Sequence, residues 1–522
     1  DKGRILDRNR FVMTNTIDLY ANYNRKIGED FELGAMVGHS FLKTRSRTSY
    51  IDAQNYPSPA FDVASVAANI VDASAGLSEY AIESYFARLS LAYKDRYVVN
   101  ATIRTDGSSR FAPDCRWGWF PSVSVGWNVS NESFWNAEKT DLKIRASYGR
   151  TGNQDGISNY GWQALISGGV NYGGQSGIAI SSSGNDRLTW ETADQYNAGF
   201  DLSFLGGKIN MIADVYLKNT NNLLYSKPVH ATTGETSILS NIGSMRNKGV
   251  EFTINTHLNL GKVLWSSSFN IARNVNKLTS LLEDDLLSIG ANRALKLGRT
   301  VGSWYIFRTD GIYQYDGEVP QALYDKGVRA GDVKYWDRNG DGNITDDDRI
   351  VTGNPNPKFS GGWNNTFKYK GLELSLFFTY SYGNDVYASW MIPGSKPGHT
   401  RSLLKAYADN RWTGPGTSDK YPRAIYSYSG WNGKNSTMYL TDGSFIRLRS
   451  VTLGYTFPQR LVSKIHLKGL RVYAQGDNVF LCSRYPGWDP ETSVNLDPRF
   501  YGEDNDGVPQ PRIFKLGVNI TF

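Results

Sequence analysis

The chain has 522 residues and carries 57 Lys and Arg against 50 Asp and Glu, a formal net charge of +7. The cations are spread along the sequence without a basic block or stripe, which excludes a nucleic-acid-binding surface. Mean hydropathy is −0.44 and no apolar run approaches the roughly 18 residues that a membrane helix needs, so a helical membrane protein is excluded too. A membrane barrel is not, because its strands need only every second residue apolar.

The chain opens DKGRILDRNRF, with no charged-then-apolar signal segment. From there alternation dominates. In SYFARLSLAYK, Tyr85, Ala87, Leu89, Leu91 and Tyr93 share one face, and Arg88, Ser90 and Ala92 the other. In GLELSLFFTYSY, Leu372, Leu374, Leu376, Phe378 and Tyr380 oppose Glu373, Ser375, Thr379 and Ser381. Period two with one apolar face predicts half-buried strands. Fifteen are expected, near 10–26, 30–46, 80–94, 96–106, 118–129, 141–151, 193–204, 207–219, 246–259, 263–276, 357–369, 371–383, 444–457, 469–479 and 512–522. Their links alternate. IGE, KDR, LGGK, NLGK and YKG are tight hairpins, while 47–79, 152–192, 220–245, 277–356, 384–443 and 480–511 are long. Short turns at one rim and long loops at the other predict an all-β transmembrane antiparallel β-barrel, with periplasmic turns and extracellular loops.

The last strand fixes direction. Phe514, Leu516, Val518, Ile520 and Phe522 share a face opposite Lys515, Gly517, Asn519 and Thr521, and the terminal aromatic resembles an outer-membrane assembly signal. A chain that ends at the periplasmic rim makes odd-numbered strands run downward. Fifteen strands are an odd number, and an open edge in lipid leaves backbone groups unsatisfied, so further strands are expected before Asp1.

Several stretches carry a family resemblance: RTDGSSRF with WGWFPSVSVGW (Arg104–Trp127), SYGRTGNQ (Ser147–Gln154), IGSMRNKGVEF (Ile242–Phe252) and GDVKYWDRNGDGNITDDDRIVTGNPNPKFSGGW (Gly331–Trp363). RLRSVTLGYTFP (Arg447–Pro458), LRVYAQGDNVF (Leu470–Phe480) and YPGWDPE (Tyr485–Glu491) follow. In order and spacing they resemble the SusC/RagA-like TonB-dependent transporters of the Bacteroidetes outer membrane. The resemblance implies that the 1–522 stretch is the C-terminal portion of a 22-stranded barrel, with the plug domain and TonB box outside it. It also implies energised import of a large nutrient, an oligosaccharide or alternatively a peptide. The partners implied are a SusD-like surface lipoprotein as lid, the TonB–ExbB–ExbD complex acting through the N-terminal part of the same barrel, and outer-membrane lipid. A passive porin or a surface adhesin is the alternative of another class.

No catalytic constellation is expected. His39, His230, His257, His399 and His466 are scattered, and neither HExxH nor GxSxG occurs. Cys115 and Cys482 are read as lying in long loops on the same side, where a single bridge is open to them. Within 277–356, DRNGDGNITDDD has the spacing of a calcium loop. Asp337, Asn339 and Asp341 stand at positions one, three and five, Gly342 makes the turn, and Asn343, Thr345 and Asp348 complete a hard-oxygen set. Such an ion would brace the loop; the alternative is an Asx/Gly-rich turn with solvated acids. The indoles of Trp162, Trp190, Trp304, Trp390, Trp412, Trp431 and Trp488 fall in or beside the long loops. They are candidates for stacking on sugar or on a partner, against the plainer reading of loop-core packing.

Overall fold

The computed structural model describes residues 3–136, 139–230, 232, 234–281, 286–394, 402–425 and 430–522. Fifteen strands form one antiparallel sheet in strict chain order. They are β1 (Arg4–Ile27), β2 (Phe31–Gln54), β3 (Asn69–Tyr93), β4 (Tyr97–Ser108), β5 (Trp117–Asn128), β6 (Thr140–Asn153), β7 (Glu191–Phe204) and β8 (Ile209–Asn221). β9 (Ser244–Leu260), β10 (Val263–Ser280), β11 (Phe359–Tyr369), β12 (Leu372–Tyr382), β13 (Phe445–Thr456), β14 (Gly469–Ser483) and β15 (Ile513–Thr521) follow. The expected strand count and order therefore hold. Among the described residues no helix is long and apolar enough to cross a membrane, so the sheet carries any crossing.

Two compact units divide the chain: one built of Asp1–Trp135, Lys143–Ala198 and Lys218–Ser244, the other of Asn136–Leu142, Gly199–Leu217 and Met245–Phe522. In the first, β1 pairs with β2 from Arg4↔Gln54 to Ile27↔Phe31, and β2 with β3 from Phe31↔Tyr93 to Gln54↔Asn69. These strands, 24, 24 and 25 residues long, exceed the 9–11 that cross a bilayer. The expectation of a loop over 47–79 is therefore corrected: 47–54 and 69–79 are strand, and only 55–68 connects them. RSRTSYIDAQ has no continuous apolar face: Arg45, Arg47 and Ser49 are exposed, while Asp52 and Ala53 are buried. Its backbone pairs all the same, with one bulge at Asp52/Ala53.

The faces are set by chemistry. On β1, Phe11, Met13, Ile17 and Leu19 are exposed on one side, as a lipid-facing band requires, while Arg8, Arg10, Thr14 and Asp18 point to the other, inner side. In the second unit, β12–β15 repeat this, with Leu453, Val472, Leu516 and Val518 outward. Charged residues on the inner face are mostly paired: Arg104 pairs with Asp106 at 2.7 Å and Lys515 with Asp477 at 2.7 Å. Glu373 lies between Lys368 at 3.1 Å and Arg471 at 2.8 Å, and Arg88 faces a hydroxyl-lined hollow described below.

Tight turns close the opposite rim. Between β11 and β12, Lys370 and Gly371 both take positive φ, 46° and 88°, the twist of a two-residue hairpin. A Cβ on Gly371 would come 2.5 Å from the Thr456 carbonyl, so glycine is required there for space as well as for φ.

The face assignment makes a prediction for the full-length protein in lipid vesicles. Leu516→Arg should cost about 2–4 kcal/mol in denaturant unfolding, as for a cation placed near a bilayer midplane. Lys515→Gln, one residue away on the inner face, should stay within about 1 kcal/mol. Equal costs for the two would mean the faces are misassigned.

Candidate functional site

On the inner face of the first unit, the outer ends of β1–β3 line a hollow of about 850 Å³. The register sets Arg8 opposite Tyr50, Arg10 opposite Thr48 and Thr44 opposite Tyr80. The Arg8 guanidinium lies 5.3 Å from the Tyr50 ring centre, and Arg10 Nε donates to Ser46 Oγ at 3.2 Å. Arg110 reaches in after β4, stacks 4.2 Å over Tyr80 and donates to Asn159 Oδ1 at 2.9 Å, while Asn159 Nδ2 holds Ser78 Oγ at 2.6 Å. Lower on the same face, Arg88 borders a second hollow of about 550 Å³ lined by Asn100, Thr102, Ser122, Ser124 and Gln195. Such surfaces present hydroxyls, aromatic faces and guanidinium donors to a hydrated, hydroxyl-rich ligand.

The long loops of the second unit are folded, which the sequence did not suggest. Phe307, Ile312, Tyr313, Leu323, Val333, Tyr335 and Ile344 of the 277–356 loop form a core, and Trp412 and Trp431 pack on it. A second core joins Trp304 and Ile306 to Tyr387, Tyr439 and Tyr485, uniting three loops. Gly353, φ +69°, lies against the Trp304 ring, where a Cβ would approach within 2.5 Å. Arg293, fully buried, caps that core. Its guanidinium stacks 4.1 Å from the Trp304 ring and donates to the carbonyls of Gly302, Phe500 and Tyr501. Burial pushes its pKa down to about 10, so it is still a cation at neutral pH. Burial, with the hydrogen bond to Asp504 second, likewise drives the Tyr485 hydroxyl well above its usual range.

A buried ionic knot pins the last loop to the sheet. Arg447 on β13, 3 % exposed, meets Asp489 Oδ1 at 2.5 Å and Glu491 Oε2 at 2.7 Å. Arg449 joins Glu491 and donates to Gln510 Oε1 at 2.7 Å. RLRS and WDPE, 42 residues apart, are thus two halves of one contact.

The seven tryptophans separate on this basis. Trp190 (6 % exposed) is wedged between Phe111 and Phe120, and Trp304 (0 %) fills the loop core, so neither ring is open to stacking on a ligand. Trp162 donates to the Ser109 carbonyl, Trp390 to Tyr485 Oη, Trp412 to Gln314 Oε1 and Trp431 to the Val333 carbonyl. Trp488 alone of the seven stands clear, 81 % exposed. The bridge left open for Cys115 and Cys482 is not formed. Both thiols are free, and Cys482 is a strand residue at the outer end of β14. His39 bonds Glu83 at 3.2 Å on the outer face, and His399 lies outside the described residues.

The 337–348 loop is organised by its own amides. Asp337 accepts the N–H groups of Gly340 (2.8 Å) and Gly342 (2.7 Å), and Asp341 that of Asn343 (2.7 Å). Asn339 accepts the Asp341 N–H at 3.1 Å, and Lys326 Nζ donates to Asn343 Oδ1 at 2.8 Å. Asp348 is fully buried, takes the N–H groups of Arg338 (2.9 Å) and Thr345 (2.8 Å), and closes a capping box with Thr345. Among the described residues no three His, Cys, Asp or Glu side chains converge as a ready metal cage.

A long antiparallel sheet with an apolar outer band, a polar inner face and folded loops at one rim defines an outer-membrane barrel architecture. The family model described as "TonB dependent receptor-like, beta-barrel" matches residues 3–347, and the chain belongs to that family, one of outer-membrane receptors and not of enzymes. TonB-dependent receptor P26 of Formosa agariphila is 33% identical over 96% of this chain and 52% of its own length. TonB-dependent receptor SusC of Bacteroides thetaiotaomicron is 29% identical over 99% of this chain and 51% of its own. The chain thus spans about half the length of the curated relatives it matches. Among solved structures, the RagAB peptide transporter superposes with a TM-score of 0.86 at 22% identity, covering 99% of this chain and 56% of that one, a likeness of fold.

The tryptophan placements predict a contrast. Trp304→Ala should cost about 3–5 kcal/mol and expose the 277–356 loop to proteolysis. Trp488→Ala should change unfolding by less than about 0.5 kcal/mol. Loop cleavage by trypsin, compared between the two variants, checks this.

Proposed function

We propose that the chain is the larger part of the barrel wall of a SusC/RagA-type transporter that imports an oligosaccharide across the outer membrane, driven by TonB–ExbB–ExbD. The N-terminal part of the same protein supplies the remaining strands, the plug and the TonB contact. A SusD-like lipoprotein closes over the folded loops of the second unit. The observation that carries the glycan reading is the inner wall at β1–β3, where Tyr50, Tyr80, Arg8 and Arg10 stand among serine and threonine hydroxyls. Sugars need flat apolar faces for stacking and many short hydrogen bonds, and this wall offers both. Peptide cargo is the second reading. RagAB carries peptides, but a likeness of fold does not transfer a substrate.

A calcium ion in the 337–348 loop is a further part of the proposal, held by Asp337, Asp341 and Asp348 with Asn339, the Asn343 carbonyl and Thr345. The spacing supports it, as does Gly342 at φ +75° in the sharp turn. Asp337 spends two lone pairs on amides, and a carboxylate has about four. The ion would supply rigidity and no chemistry.

Two outcomes are expected. In a producing strain, Arg10→Ala combined with Tyr50→Ala should raise the half-saturating concentration for glycan uptake roughly tenfold, the loss of about one to two net hydrogen bonds. Growth on protein should be unaffected, and deletion of TonB should abolish uptake. Uptake that persists without TonB would instead indicate a porin, and lost growth on peptides alone would indicate peptide cargo. For the loop, calcium at 10–100 times its Kd should stabilise the protein by about 1.4–2.7 kcal/mol. Asp337→Asn should remove that gain; melting curves that coincide in calcium and in chelator would end the calcium reading.

A further inference from the structure

The outer ends of β11–β14 hold a cleft of about 950 Å³ that no part of the import reading uses. Its side is fixed by register. Arg447 points inward to Asp489, so its neighbour Ile446 points outward, and Ile446 pairs with Tyr380 on one strand and Cys482 on the other. Phe359 and Tyr382 pair and stack at 4.9 Å on this same outward face. Ile446 is 43% exposed and Phe480, one outward position closer to the lipid-facing band, 52%. The floor of the cleft is therefore a continuation of the apolar band, at the level where the band gives way to loops.

The rim has a different chemistry. Arg299, Lys358 and Arg484 line it, and among the described residues none of the three is within ion-pair distance of a carboxylate. The Lys358 stem is seated on Gly383. Two carboxylates share the rim and are turned to the backbone. Asp385 accepts the Asn354 N–H at 2.8 Å, and Asp442 accepts the Ser444 N–H at 2.9 Å. Burial raises the Asp385 pKa, with Asp442 adding to the rise and Lys358 opposing it. The rim keeps three unspent cations above an apolar floor.

We propose that this cleft binds a phosphorylated lipid of the outer leaflet. The phosphate sits on Arg299, Lys358 and Arg484, and an acyl chain lies over Phe359, Tyr382 and Ile446 toward Phe480. Forked guanidinium donors and an ammonium suit phosphate oxygens, and the site is anchored where such a headgroup meets the barrel. A free phosphate would satisfy the rim but not the floor, which is why the lipid is the occupant.

Cys482 provides the reporter, an exposed thiol on the cleft floor. The full-length protein is placed in phosphatidylcholine nanodiscs with or without lipid A, a phosphorylated glycolipid, and maleimide labelling is followed on the peptide containing Cys482. Lipid A should slow labelling roughly tenfold, as three charge-assisted contacts hold the ligand in place, and inorganic phosphate without lipid A should leave the rate unchanged. Lys358→Gln with Arg484→Gln should restore fast labelling, and native mass spectrometry of the same variant should show the retained glycolipid lost. Heat-resistant migration on gels confirms that the variant is folded. Should that fail, Ile446→Ser, which leaves the cations in place and roughens the floor, serves instead and should also restore labelling. Equal rates with and without lipid A overturn the proposal. Protection by inorganic phosphate alone also overturns it, and reassigns the rim as a simple anion site.

Discussion

The constraint on which everything else depends is that hydrocarbon offers no hydrogen-bond partner to a peptide group. Every N–H and C=O in the membrane must be paired within the sheet. Strand thus follows strand in chain order, each pairing with the last, because a skipped neighbour would leave a bare edge in lipid. From the same ladder comes the division of labour between faces. Alternate residues meet lipid and are free to be Phe, Leu or Val, and their neighbours meet water and carry the charges and hydroxyls.

That period of two explains what could be read from the sequence. The count, order and faces of fifteen strands were legible because the apolar band repeats at each crossing, as in Leu372, Leu374, Leu376 and Phe378. Strand ends were legible only as far as the lipid reaches. Above it, Ser46, Thr48 and Tyr50 still pair in register but alternate with Arg45, Arg47 and Ser49, so nothing in their hydropathy distinguishes ladder from loop. The inner wall that carries the proposed sugar site lies in this stretch. Its members are ordinary serines, tyrosines and arginines that become a surface only when three strands set them side by side.

The loops were illegible for another reason. Their cores are assembled from residues far apart in sequence, with Trp304, Tyr387, Tyr439 and Tyr485 drawn from three loops, and such a core has no period. Of the tryptophans that look available for ligand, Trp304 is therefore interior to such a core, and Trp390, Trp412 and Trp431 pack half-buried against one. Motifs fared better than side-chain roles. RLRS and WDPE were visible as strings, but only their meeting shows that Arg447, Asp489 and Glu491 are a buried charge set. Removing one member of such a set costs far more than the set contributes in total, about 3–5 kcal/mol, because its partners are left charged and dry. This asymmetry holds the last loop against the sheet whatever its other contacts do.

The distribution of charge on the inner face separates structural from available cations. Arg104, Arg471 and Lys515 each face a carboxylate at 2.7–2.8 Å, Arg104 within its own strand and the other two across strands, and are spent on those pairs. Arg8 and Arg10 instead face a tyrosine ring and a serine hydroxyl, weak partners that leave guanidinium donors over. Arg88 likewise looks onto amides and hydroxyls. A desolvated ligand has to replace the hydrogen bonds it loses to water, and donors already committed to carboxylates cannot supply them without breaking the wall. The first unit keeps such donors uncommitted along β1–β3, while the pairs around Glu373 and Asp477 in the second unit close that option. On the proposed reading, recognition of the imported nutrient therefore falls to the inner wall of the first unit, where these guanidinium donors are left over.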